Sequence, residues 1–331
     1  MTAARGGGAQ RMLRRADDLQ RRHAALAFPF AVLKKFADDR ASQLAALIAY
    51  YGFFSLFPLL LVFATLVAIV VRDDRALRQQ LLDSALSQFP IVGTRIGQTI
   101  SQLTKSSFTL SVGIVGALWS GTAVVAAAQH AMDEVWDVPR IERPGLVGRL
   151  TRAFLLLFVF GASIVLSTFL AGTGGETGWN AALLKTISLG GTVLVSVAVF
   201  AFAYRVLTVA RVSWREVLPG AVVAAIAWTI LLMVGSWLVD RHIRNASQVY
   251  GFFAIVIGLL AWISLAAQVF LLAAEMNAVR ARRLWPRSLI APPLANEDKE
   301  VLASQAEEEQ ARPEERVEVN FEEPANEGRD R

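Results

Sequence analysis

Hydrophobic residues in this chain are gathered into long runs that short polar connections separate. The first run, residues 41–71, contains no charged residue, and the last, residues 245–277, contains none before Glu275. A bilayer core about 30 Å thick is crossed by roughly 20 residues of α-helix. Both runs are long enough to cross it, and we predict that both are transmembrane helices.

The same pattern predicts an all-α, polytopic membrane protein with six transmembrane helices. Amphipathic helices are predicted at the N-terminus and between the first two spans, where leucine and isoleucine recur at helical spacing. The predicted spans are approximately residues 45–71, 108–129, 153–172, 186–204, 217–239 and 248–274.

Three regions follow from this division. Residues 1–40 are predicted to form a basic, amphipathic cytoplasmic segment, and residues 41–285 the six-helix membrane domain. Residues 286–331 are acidic and hold few large apolar side chains, so they are predicted to be a disordered cytoplasmic tail. No cleavable signal peptide is visible before the first apolar run, and we expect that run to be an uncleaved anchor.

Composition and charge indicate a membrane partner. Hydrophobic residues make up 54% of the chain, the mean hydropathy is +0.45, and residues 1–285 carry a net charge of +12. In a chain with several spans, such basicity is more typical of orientation and contact with anionic lipids than of nucleic-acid binding. The lysine and arginine residues of the short connections predict that both termini are cytoplasmic, which places residues 72–105 outside.

One face of the last span carries polar side chains. Ser264, Gln268 and Glu275 are four and seven residues apart, close to whole turns of an α-helix. This stripe either lines a polar path or lipid site, or only bonds neighbouring helices while Glu275 lies among the headgroups. The spacing alone leaves both interpretations open.

Other polar and helix-breaking residues of the spans complete the candidate site. Pro58 lacks a backbone N–H and is predicted to kink the first span, and such breaks often mark binding sites in transporters. The candidate polar path or lipid site consists of Tyr50, Tyr51, Ser55, Pro58, Trp119, Ser120, Pro219, Tyr250, Ser264, Gln268, Glu275 and Asn277.

No catalytic, cofactor or metal site is predicted. Cysteine is absent, the three histidines lie in different segments, and none has the spacing of a paired metal ligand. Asp133, Glu134 and Asp137 cluster near Arg140 and Arg143, which indicates a solvated, salt-bridged connection. We therefore expect a protein that is not an enzyme, with no cofactor, metal or nucleic-acid partner.

Four separated blocks carry a family resemblance. They are AYYGFFSLFPLLL at residues 49–61, ALWSGTAVVAAAQHAMDEVW at 117–136, SWREVLPGAVVAAIAWTI at 213–230 and VYGFFAIVIGLLAWISLAAQVFLLAAEMN at 249–277. In this order they resemble the YihY/BrkB family of bacterial inner-membrane proteins. The resemblance implies six helices in the bacterial cytoplasmic membrane with both termini inside.

The resemblance implies no single activity. Members have been labelled virulence factor and ribonuclease BN, and some have been linked to envelope lipid handling. The residues lead us to expect a protein that binds or moves a lipid or other amphiphile, with anionic membrane lipids as partners and a homo-oligomer as a possible assembly. The resemblance implies that this activity belongs to envelope maintenance. The alternative is a non-transporting membrane scaffold, and ribonuclease is the weakest interpretation because converging metal ligands are missing.

Overall fold

The computed structural model describes residues 17, 20, 22–71, 75–86, 107–172, 181–238, 251–289 and 294–321. These residues form helices and no strand, in agreement with the predicted all-α class. In chain order the α-helices are α1 Ala24–Asp38, α2 Ala41–Val70, α3 Arg75–Leu86, α4 Ser107–Val135, α5 Leu146–Gly172, α6 Ala181–Leu207, α7 Trp214–Leu238, α8 Gly251–Arg282 and α9 Asn296–Glu308.

Four of these helices contain segments long and apolar enough to cross a membrane: Leu146–Leu170, Thr186–Leu207, Trp214–Gly235 and Val256–Arg282. A fifth is added if Ala41–Leu56 and Pro58–Thr65, two parts of α2, count as one bent span. The predicted multi-pass membrane protein is thus supported by four or five candidate spans among the described residues. A sixth span, in α4, stays a prediction.

The predicted kink at Pro58 is present. The two parts of α2 are inclined by 46° at this residue. Proline removes one backbone hydrogen bond, and its ring collides with the preceding turn, which bends a helix. On the neighbouring helix, Gly116 faces the Pro58 ring, and Gly121 faces Leu59. Small residues of α4 thus let the bent α2 approach closely.

Helix α8 is the centre of the bundle, because α1, α2, α4 and α7 all pack against it. Its contact with α7 is closest at Gly220, where a Cβ atom would overlap the Ala273 carbonyl oxygen. Asn277 holds the two helices together: its Oδ1 accepts a hydrogen bond from the Gly220 N–H at 2.7 Å, and its Nδ2 donates to the Val217 carbonyl at 3.1 Å. A side chain at position 220 would separate this pair.

The outer helices α5 and α6 are exposed along their apolar lengths. In the most apolar stretch of each, 6% of the residues are buried inside the protein, against 33% in α7 and 28% in α8. Large apolar side chains lie open on these surfaces, and two of them, Phe158 and Leu194, are 74% and 69% exposed. An apolar surface of this size suits acyl chains and is unsuited to water.

Candidate functional site

The predicted polar stripe of α8 runs from a half-buried to a fully buried position. Ser264 and Gln268 are half-buried, and the Gln268 Nε2 donates to the Ser264 Oγ at 3.4 Å. Glu275, about two turns further along the same face, is 0% exposed. The stripe therefore ends inside the protein, with Glu275 enclosed by other side chains.

Glu275 lies in a group of buried charges that we call the charge cluster: Lys35, Asp39, Asp137, Glu275 and Arg282. The Lys35 Nζ is 2.5 Å from the Asp39 Oδ2, 3.4 Å from the Asp137 Oδ1 and 3.7 Å from the Glu275 Oε2. Arg282 also pairs with Asp137. Three carboxylates thus surround one fully buried ammonium group.

Three segments of the chain meet at this cluster. Lys35 lies in the last turn of α1, Asp39 caps that helix, and Glu275 and Arg282 come from α8. Asp137 follows the end of α4 with a φ of 48°. Aspartate is among the residues that adopt this left-handed conformation at small cost, and here the turn brings its carboxylate back toward Lys35.

Electrostatics favour the charged form of Lys35. Burial lowers the pKa of Lys35, but the carboxylates of Glu275, Asp39 and Asp137 outweigh that effect and raise the pKa above its ordinary value. Burial raises the pKa of Asp39, and the neighbouring Lys35 opposes this rise. An ammonium group that stays charged at every physiological pH is therefore enclosed by carboxylates that depend on it.

The tail contributes to the same end of the bundle. The Ser304 Oγ donates to the Asp137 Oδ2 at 3.0 Å, and the Gln305 Nε2 donates to the Asp39 Oδ1 at 2.9 Å. Both donors lie on α9, whose Val301 is completely buried in a small core with Val32 and Val279. Helix α9 thus covers the charge cluster.

A second ionic centre holds the start of α9. Asp298 accepts hydrogen bonds from Lys34 at 2.8 Å, from Arg287 at 2.5 Å and from the Ser288 N–H at 2.8 Å. Burial acts to raise the pKa of Asp298, but these hydrogen bonds overcome it and hold the pKa well below its usual range. Arg287 also pairs with Asp38 at 2.8 Å, which joins α9 to α1.

These contacts correct the prediction that residues 286–331 are disordered throughout. Within the described part of this segment, Asn296–Glu308 forms α9, whose Val301 lies against α1 and α8. The tail has too few apolar residues to form a core of its own, but Val301 uses the core that α1 and α8 supply, and Asp298 pairs with Lys34 of α1. Composition alone does not reveal such shared partners.

The prediction of a solvated acidic connection after α4 is also wrong in part. Asp133 and Asp137 are 2% and 8% exposed. Glu134 does lie in an ion pair, with the Arg143 Nη2 at 3.3 Å, and Arg143 also pairs with Glu308 of α9. The salt bridges expected there exist: Arg140 and Glu309 pair at the exposed surface, and Arg143 and Glu308 are each 10% exposed.

Other predicted site residues lie elsewhere. Tyr50 and Trp119 are on the outer surface, 54% and 83% exposed, and Tyr51 is half-buried beside Tyr50. Ser55 is buried and donates to the Gly52 carbonyl of its own helix. Ser120 likewise donates to the Gly116 carbonyl.

Of the remaining candidate site residues, two prolines lie where helices pack or bend, and one tyrosine lies outside the described residues. Pro219 is half-buried in α7, one residue before the Gly220 contact with Asn277. Pro58 lies at the bend of α2. Tyr250 lies outside the described residues. The structure therefore gathers Glu275 into a site, pairs Ser264 with Gln268, and gives Asn277 a role in packing.

Sequence reasoning did not select Lys35, Asp39, Asp137 or Arg282. One signal was available: Lys35 stands among apolar residues in the segment FAVLKKFADD, and it is four residues before Asp39, the spacing of an ion pair on one helical face. Nothing local indicates Asp137, which is 102 residues away from Lys35. In the described part of the chain, no group of three or more histidines, aspartates or glutamates is placed to hold a metal ion.

Comparison of the sequence with known proteins identifies the family of this chain. The family model described as Virulence factor BrkB matches residues 32–297, a range that includes every member of the charge cluster. The chain belongs to the Virulence factor BrkB family. The expected resemblance to YihY/BrkB proteins is confirmed.

Individual BrkB relatives carry two kinds of name. The ribonuclease-like protein YfkH of Bacillus subtilis is 28% identical over 272 residues, which cover 78% of this chain and 96% of YfkH. Proteins named UPF0761 membrane protein are 26% identical in Alkalilimnicola ehrlichii and 27% in Stenotrophomonas maltophilia strain K279a, over 78% and 85% of this chain. The matched regions span 59% and 66% of those two relatives. No solved structure matches the chain.

Proposed function

We propose that this BrkB-family membrane protein binds a lipid or other amphiphile and moves its polar head along the α8 stripe while the acyl chains stay in the bilayer. The supporting observation is the course of the stripe, from the half-buried Ser264–Gln268 pair to the enclosed Glu275. Polar groups within a candidate span are costly in lipid and are usually retained for function.

The neighbouring surface suits an amphiphile. Helix α2 packs against α8 with Gly52 opposite Ile263, and the exposed apolar side chains of Leu265 and Leu272 lie on α8 next to the stripe. An apolar surface next to a line of hydrogen-bonding groups offers both halves of an amphiphile a partner. Because the head needs only hydrogen bonds, this function demands no carboxylate at mid-membrane.

The charge cluster is proposed to close one end of this path. Its ion pairs join α1, α8, the end of α4 and, through Ser304 and Gln305, the tail helix. The basic connections lead us to propose that this end faces the cytoplasm, with both termini inside, in the bacterial inner membrane. Accessibility of a cysteine introduced in residues 72–105 to a membrane-impermeant reagent tests this orientation, since the proposal requires labelling from outside.

A non-transporting scaffold is the second candidate. The observation that favours it is the satisfaction of several polar groups by the protein itself, including Asn277 by Gly220 and Val217. Neither proposal includes catalysis. Nuclease activity that purified with the protein and disappeared in a variant of its own residues would contradict this part of both proposals.

Movement of headgroup-labelled lipids between the leaflets of reconstituted vesicles tests the first proposal. Gln268→Leu, which keeps the size and removes the hydrogen bonds, should slow movement about tenfold, the equivalent of one hydrogen bond of about 1.4 kcal/mol. Ser196→Ala is the matched control, because the Ser196 Oγ donates to the Thr192 carbonyl of its own helix at 3.0 Å, away from the α8 stripe. Equal rates in vesicles with and without the protein would contradict the proposal.

A further inference from the structure

An open cavity of about 420 Å³ lies at the connection between α6 and α7, away from the α8 stripe. It is lined by Arg205, Ala210, Arg211, Val212 and Ser213. The candidate spans on its two sides end at Leu207 and begin at Trp214, so the cavity is located where the chain leaves and re-enters the bilayer. This places it at the level of the lipid headgroups.

The cavity is basic, and among the described residues its arginines have no carboxylate partner. Residues 205–216 hold three arginines and one glutamate. Glu216 is occupied by Ser213, whose N–H and Oγ donate to the Glu216 Oε2 at 2.6 and 2.9 Å. Arg205 and Arg211 are exposed, and within the described ranges neither has a carboxylate within 4.0 Å.

The cavity is also held in shape before any ligand arrives. Arg205 donates to the Val212 carbonyl, and its guanidinium carbon lies 5.0 Å from the centre of the Trp214 ring. Val212 is buried in the main core, and Thr208 is buried and donates to the Tyr204 carbonyl at 2.7 Å. A fixed guanidinium loses less entropy when it binds an anion than a free one does.

Charge, size and depth together indicate one class of ligand. Guanidinium groups bind phosphate through paired hydrogen bonds, and a cavity of about 420 Å³ holds a headgroup but not a whole lipid. Trp214 is 52% exposed at the end of a candidate span, the position at which tryptophan meets the membrane interface. We propose that this cavity binds the phosphate of an anionic lipid headgroup, with Arg211 and Arg205 as its ligands.

This site is independent of lipid movement, because a protein that moves nothing could still bind a lipid here. Its test is binding of short-chain phosphatidylglycerol to the full-length protein in detergent, measured by native mass spectrometry. Arg211→Gln should weaken binding about tenfold, the effect of losing one ionic contact. Arg215→Gln is the matched control, since Arg215 is exposed on the same segment but does not line the cavity.

Four results would overturn the proposal. Unchanged affinity in Arg211→Gln would exclude Arg211 as a ligand, and equal weakening in Arg215→Gln would indicate general attraction to positive charge. Inorganic phosphate that displaced phosphatidylglycerol at equal concentration would show a site for soluble phosphate instead of a lipid. Short-chain phosphatidylcholine, which is zwitterionic, should bind more weakly than phosphatidylglycerol, and equal affinity would also count against an anionic ligand.

Discussion

The outer face of α5 and α6 and the charge cluster at the end of α8 are stabilised in opposite ways. The outer face exposes large apolar side chains and makes few contacts inside the protein, so its proper surroundings are acyl chains. The charge cluster encloses Lys35, Asp39 and Glu275 away from any solvent, so its stability depends on exact pairing. Substitutions on the outer face should therefore change stability little, and substitutions in the charge cluster should destabilise the protein strongly.

The largest effect is expected for Lys35→Met. Loss of the ammonium group leaves the carboxylates of Asp39, Asp137 and Glu275 buried without their shared partner. Breaking a buried pair in this way costs about 3–5 kcal/mol. Thermal unfolding of the detergent-solubilised protein measures the loss. The control is Lys299→Met, which removes a cation–π contact of 6.0 Å with Phe321 and leaves the charge cluster intact. An equal unfolding temperature for the two variants would contradict the account.

A smaller and local effect is expected for Asp298→Asn. The substitution removes the charge that Lys34 and Arg287 share, so α9 should detach while the membrane helices stay folded. Charge-assisted hydrogen bonds of this kind are worth about 2 kcal/mol. Limited digestion with trypsin after Lys299 should accelerate in this variant. Glu297→Gln, in the same helical turn, should be cut at the wild-type rate.

The attachment of α9 should also depend on pH through Glu308. Burial and the nearby carboxylate of Glu134 raise the pKa of Glu308 from 4.5 to about 8, although Arg143 opposes the shift. The folded state then keeps a proton that the unfolded state has lost, so this contribution is present below about pH 4.5 and is lost as the pH rises toward about 8. Trypsin cleavage after Lys299 should therefore accelerate over that interval in the wild type.

Glu308→Gln is the control for this pH dependence. The amide keeps the size of the protonated side chain and does not titrate, so cleavage of the variant should change less between pH 4.5 and 8 than cleavage of the wild type. The same slope in both proteins would show that Glu308 is not the titrating group.

The smallest effect is expected for Phe158→Ala on the outer face. Phe158 is 74% exposed, so little packing inside the protein is lost, and surface substitutions of this kind usually stay within about 0.5 kcal/mol. Thermal unfolding in detergent measures it. A loss as large as that of Lys35→Met would show that this face is packed against another protein surface, such as a second copy of the chain.

The outer helices could be predicted from the sequence, whereas the charge cluster could not. Spans at 153–172, 186–204 and 217–239 correspond to α5, α6 and α7, because long apolar runs and helical hydrogen bonding are both local properties. The helices extend beyond the apolar runs, since their backbone bonds continue into polar turns. The bend at Pro58 was predictable for the same reason.

The charge cluster could not be predicted because its contacts are not local. Lys35 meets Asp137 through the packing of α1 on α8 and through the turn after α4. The local sequence around either residue does not predict that the other is its partner. Asp298 likewise finds Lys34 across 264 positions of the chain. A charged residue amid apolar neighbours indicates that a partner exists, but the fold decides which residue it is.

The most direct test of the proposed path asks whether a lipid headgroup reaches Gln268. A lipid with a photoreactive group on its headgroup would be crosslinked, in vesicles, to variants with a single cysteine at position 268 or position 265. Leu265 is 46% exposed on the same helix, less than one turn away, and should meet acyl chains. The account predicts adducts at position 268 and few at position 265. Equal labelling of both positions, or labelling at position 265 alone, would contradict it.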